Sequence, residues 1–145
     1  MAKRDQVVVD VNTILALAAA AEQEIQQLQA ILAQLDDIRR SLEAAKETVK
    51  AVSESQEPFL VPADGGRGNV FFYATAAEKD KFLVHLGTGV YAKLSREKTL
   101  EYIDKSLEAI DKDIEATTKR LEEAMARYQQ IQALLAQVQA QARRQ

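Results

Sequence analysis

Cysteine and tryptophan are absent from this chain, proline occurs twice, glycine five times and histidine once. Without cysteine there is no disulfide and no thiolate metal site, which suits a reducing compartment. The single histidine, His85, has no second imidazole to share a metal with and reads as a strand-face residue. Aromatics make up only 6% of the chain, too few for a large conventional core. No hydrophobic run is long enough to span a bilayer. The longest low-charge run near the start, "VNTILALAAAA", is far too short, and Lys3–Arg4 lacks the cleavage pattern of a signal peptide. A net charge of −3 with mixed signs exerts no general pull toward nucleic acid or anionic lipid. These absences predict one soluble, cytoplasmic domain across residues 1–145, with no cofactor, no metal, no nucleic acid and no membrane partner.

What is present is heptad periodicity. From Leu100 the apolar positions step by three and four through Ile103, Leu107, Ile110, Ile114, Thr117, Leu121, Ala124, Tyr128, Ile131, Leu135, Val138 and Ala142. Only Thr117 is polar, and the pattern predicts a coiled-coil helix over about 96–143. Ser95 is its expected N-cap, Glu97 favours the positive end of its dipole, and Arg143 and Arg144 suit its other end. A first helix is expected over about 8–56, ended by Pro58. It has one register through Ile14, Ala18, Ala21, Ile25 and Leu28. A second runs through Ile31, Leu35, Ile38, Leu42, Ala45, Val49 and Val52, with a stammer between the two. Helices of this length reach roughly 65–75 Å. Their similar lengths fit antiparallel pairing within one chain; pairing of each helix with other chains is the alternative.

Between Pro58 and Ser95 the period changes from 3.5 to 2. Every Phe, every Gly, both prolines and the histidine lie in residues 58–89. "FLVP", "NVFFYA", "KFLVHL" and "VYAKL" read as four short strands, with "ADGGRG" and "GTG" as turns, arranged as two hairpins over 58–94. In "KFLVHL", Phe82, Val84 and Leu86 are expected on one face, Leu83 and His85 on the other. Such hairpins are marginal alone. They cannot hide Leu60, Val61, Val70, Phe71, Phe72, Tyr73, Phe82, Leu83, Val84, Leu86, Val90 and Tyr91, so these residues are expected to complete a sheet or barrel with other chains.

The stretch from "LVP" through the glycine turn, "NVFFYA" and "FLVHLGTGVYAKL" into a heptad helix resembles the alpha-class subunits of the prefoldin family. Two hairpins resemble the alpha class, the beta class having one. The resemblance implies a mainly α fold with a small β part: an antiparallel two-helix coiled coil joined by two β-hairpins that assemble into an intersubunit β-barrel. It further implies a hexamer of two alpha and four beta subunits with coiled-coil tentacles. Such a complex is an ATP-independent chaperone that holds unfolded polypeptides and passes them to a group II chaperonin. A self-assembling filament or homo-oligomer is the alternative.

The helix ends carry a signal of their own. Residues 11–21 and 129–142 contain no charge. Apolar side chains there spread beyond the narrow stripe that a coiled coil needs. Val8, Val11, Ile14, Leu15, Leu17, Ile131, Leu134, Leu135 and Val138 are therefore the candidate client contacts. The competing reading is that Leu15, Leu17 and Leu134 only widen the helix contact, and that Ala and Gln only raise helix propensity. Other signals are bland. "GGRG" lacks the Lys-Ser/Thr sequel of a phosphate loop. Asp36–Asp37 and Glu122–Glu123 sit on solvated helix faces, and no nucleophile–base constellation suggests an enzyme.

Overall fold

Long stretches of Ala, Gln, Leu and Glu without Pro or Gly favour uninterrupted helix. In a computed structural model, which describes residues 2–144 and the side chains from Val11 to Arg144, they form α1 (Ala2–Glu54) and α2 (Arg96–Arg143). Ser95 caps α2 as expected: its Oγ accepts the Lys98 N–H at 3.2 Å, and Thr99 Oγ1 donates to the Ser95 carbonyl at 2.7 Å. The end of α1 has no basic residue in its own last turn. Cations arrive there from elsewhere in the chain. Lys79 Nζ donates to the Ser55 carbonyl at 3.1 Å, and Arg96 donates to Ser53 Oγ at 2.8 Å and Glu54 Oε1 at 2.9 Å. Positive charge at a helix C-terminus opposes the macrodipole, and here it also ties the strand connector to the helix.

The α2 seam follows the periodicity. Its positions from Leu100 to Val138 are all buried or half-buried, and only Ala142 is exposed. In α1 the seam differs from expectation. It runs Ile14, Ala18, Ala21, Ile25, Leu28, Leu32, Leu35, Arg39, Leu42, Lys46, Val49 and Ser53 in unbroken steps of four and three. There is no stammer. Ile31 and Ile38 stay 43% and 47% exposed, while Leu32 and Arg39 take the inner places. The reason is geometric: a step of four after Leu28 keeps the regular alternation, whereas a stammer must overwind the helix. The long stems of Arg39 and Lys46 line the seam and send their charges to its edge.

Four strands lie between the helices: β1 (Phe59–Pro62), β2 (Phe71–Ala74), β3 (Lys81–Gly87) and β4 (Val90–Ser95). They form two separate antiparallel pairs, β1 with β2 and β3 with β4. Leu60 faces Tyr73 across the first pair, and Leu83 faces Lys93 across the second. The expected alternation of β3 holds through Phe82 and Val84 but not at Leu86. A register irregularity between His85 and Gly87 leaves Leu86 exposed, because the extra residue of a bulge has no cross-strand partner to hold its face. Gly89 then closes the turn at positive φ, 76°, where a side chain would be strained, and its N–H donates to His85 Nε2 at 3.3 Å.

The chain divides into two compact units. One is the hairpin unit, Ile38–Ile110; the other joins the residues up to Asp37 with those from Asp111 onward. Within the hairpin unit the helices run antiparallel, since Lys46 pairs with Asp104 at 2.7 Å and Arg96 reaches back to Glu54. Among the described residues no helix is long and apolar enough to cross a membrane.

Candidate functional site

The hairpin unit has too little chain to cover its own strands. Tyr73 is 75% and Leu83 72% exposed, and Leu60, Val70, Phe71, Phe72, Leu86, Val90 and Tyr91 are exposed as well. Val61, Phe82 and Val84 are half-buried. The side chains that do find cover follow the strand alternation, with Phe59 and Val61 turned inward and Leu60 and Pro62 outward. Tyr91 and His85 meet across β3 and β4 with ring centroids 4.7 Å apart and planes tilted by 38°. The result is an apolar, aromatic surface on two-stranded sheets, each of which keeps unpaired edges.

One carboxylate organises the β1–β2 turn. Asp64 Oδ2 accepts the N–H groups of Asn69 at 2.9 Å and Val70 at 3.2 Å, while Gly66 takes positive φ between them. The Asn69 N–H holds the Asp64 carboxyl below its ordinary value; partial desolvation opposes this, and the Val70 N–H assists. A folded-state value below the unfolded one means that the contribution to the turn is complete above the ordinary carboxylate range. It is lost as pH falls through that range to the lowered value. The protection of the Asn69 and Val70 amides, measured as exchange relative to the intrinsic rate at each pH, will fall on acidification in this window. Asp64→Asn will remove the pH dependence of that protection, and protection in the parent chain that stays constant through this window would contradict the assignment.

The second surface lies in the other unit, which brings residues 11–21 and 129–142 together. A flank ion pair, Arg127 to Glu24 at 3.1 Å, joins its two helices. One heptad further along each helix toward its free end, the corresponding places carry Leu17 and Leu134, exposed by 53% and 48%. Leucine thus stands where charge stood one heptad before. Leu15 is exposed nearby, and Val11, Ile131, Leu135 and Val138 are half-buried. Ile14 is buried in the seam, so it supports this surface from beneath and does not form it. The Val8 side chain lies outside the described residues.

A shallow groove of about 320 Å³ beside this surface combines Ile25, Met125 and Tyr128 with Glu22, Gln26, Gln29 and Gln129. Heptad periodicity places Ile25 and Tyr128 in the seam alone and gives Met125 no role. The available signal was an unbranched apolar residue at a flank position, one place past the buried Ala124. Among the described residues no cluster of His, Cys, Asp or Glu has the makings of a metal site.

The fold is a helical pair whose chain reverses through two small β-hairpins that leave apolar side chains exposed. The prefoldin subunit family model matches residues 21–141. A prefoldin subunit alpha from Aeropyrum pernix is 41% identical over 80 residues, covering 55% of this chain and 52% of that protein. One from Hyperthermus butylicus is 34% identical over 82 residues, covering 57% and 53%. One from Metallosphaera sedula is 30% identical over 100 residues, covering 69% of each. The match thus spans about half the length of the first two relatives. A cryo-EM structure of filamentous PFD from Methanocaldococcus jannaschii shares the fold with a TM-score of 0.63 at 22% identity, over 81% of this chain and 97% of that one. The chain belongs to the prefoldin subunit family, in its alpha class.

Proposed function

We propose that this chain is the alpha subunit of an ATP-independent holdase, assembled with beta-type prefoldin subunits as an α2β4 hexamer in the cytoplasm. Its hairpins complete a shared β-barrel with neighbouring subunits. Its helix ends hold unfolded polypeptides by weak apolar contacts and deliver them to a group II chaperonin. The observation that carries the reading is the exposed leucine set Leu15, Leu17 and Leu134, in stretches without charge. A nonnative chain offers apolar side chains, and an uncharged surface meets them without desolvating an ion. Several such ends in one complex add their weak contacts into useful avidity. Catalysis has no part in this mechanism.

The test is to mix the chain with a beta-type prefoldin subunit and measure mass by light scattering, then to follow aggregation of a denatured client. A defined heterohexamer that suppresses aggregation is expected. A mixture that stays unassembled, or a hexamer without effect on the client, refutes the reading. The fold shared with a filamentous PFD favours a second reading, a self-assembling structural subunit. Long homopolymers of the chain alone would support it.

A further inference from the structure

Between Ile14 and Ser53 the α1 seam contains two cations. Between Leu35, Leu42 and Val49 the inner places belong to Arg39 and Lys46, and both are half-buried. Lys46 Nζ meets Asp104 Oδ1 on α2 at 2.7 Å; Arg39 Nη1 meets Glu43 Oε1 on its own helix at 3.0 Å. A polar side chain at a core position of a coiled coil lowers stability and selects among partners. The question is which partner these two select against.

Helix polarity supplies the answer. In the hairpin unit α1 runs toward the strands and α2 runs away from them. Chains joined through their hairpins therefore all present α1 with the same polarity relative to the shared strands. A neighbouring α1 is a parallel competitor for the chain's own α2. In a parallel, in-register pair each residue faces its own copy, so Arg39 would meet Arg39 and Lys46 would meet Lys46 in a desolvated layer. Against its own α2, Lys46 meets a carboxylate instead.

We propose that Arg39 and Lys46 are a partner lock. They favour an antiparallel α2 as the partner of α1 and block parallel pairing with α1 of a second copy. The need for a lock rests on the assembly reading above, because tethering raises the local concentration of neighbouring helices to about millimolar. Without the two cations the α1 seam is apolar enough to pair with α1 of a neighbouring chain.

The absence of cysteine makes the test direct. Leu42 lies in the seam, so in a parallel, in-register pair of α1 helices Leu42→Cys faces its own copy within disulfide reach. Oxidised Leu42→Cys chains are expected to give only a trace of linked dimer on a non-reducing gel. Adding Arg39→Leu and Lys46→Leu is expected to raise that dimer by about tenfold or more. Arg39→Met with Lys46→Met, which keeps the stem volume, will do the same, and circular dichroism checks that each variant stays helical. Abundant dimer from Leu42→Cys alone, or no increase in either substituted chain, overturns the lock. Light scattering reports assembly separately. A monomeric mass counts against the hairpin reading, while the disulfide comparison at about millimolar chain still decides the lock.

Discussion

Lysine at both Tyr73 and Leu83 will dissolve the assembly and leave the two helices folded. These are the two most exposed large apolar side chains of the hairpin unit, so their replacement costs the isolated subunit little. In a completed barrel each would be buried. Burial of such a side chain contributes about 1.5–3 kcal/mol, so the pair is worth roughly 3–6 kcal/mol per subunit before any charge is desolvated. That corresponds to a loss of about a hundredfold or more in association. Two buried ammonium groups add to the penalty. Light scattering will show the fall in mass, and far-UV circular dichroism will show unchanged helix content. An unchanged mass would mean that the strands are completed in some way that leaves this surface free, and the assembly reading would fail with it.

The second large effect lies at the helix ends. Leu17→Lys combined with Leu134→Lys will keep the mass of the complex and lose the protection of denatured clients. Both side chains are about half exposed, so neither substitution opens the seam, which Ile14, Ala18, Ile131 and Leu135 continue to close. What changes is the surface offered to an apolar segment. Removing two such contacts from each helix pair costs about 2 kcal/mol, roughly thirtyfold in affinity for a single grip. Titration of chaperone against an aggregating client, read by turbidity, will move to correspondingly higher chaperone concentration. Leu17→Gln with Leu134→Gln should give a smaller shift in the same direction, since glutamine removes the apolar contact without adding charge. A superimposable titration with the lysine variant would locate the client elsewhere, and the groove at Ile25, Met125 and Tyr128 would be the next surface to alter.

The two surfaces differ in how far periodicity alone revealed them. The hairpins were legible because a change of period, two glycine turns and a concentration of phenylalanine are local signals, and each acts within a few residues. The bulge at Leu86 was not legible, because it depends on how the β3–β4 turn closes. The α2 seam was legible nearly throughout, since its apolar steps have no rival. In α1 the chain offers Ile31 and Leu32 side by side, then Ile38 beside Arg39. Hydrophobicity alone favours the isoleucines in both places. Regular knobs-into-holes packing favours Leu32 and Arg39, and packing prevails because one overwound turn would disturb every later contact.

The linear order of residues was enough, by itself, to establish two long helices, four short strands and a middle segment unable to close on itself. Those properties follow from backbone propensity and from the count of apolar side chains, both of which belong to the chain before it folds. Tertiary structure alone decided which of two adjacent residues enters the α1 seam, that two cations stand inside it, and that Leu17 and Leu134 succeed an ion pair on the flank of the same unit. A helix presents several faces at once, and only the partner packed against it determines which face is inside.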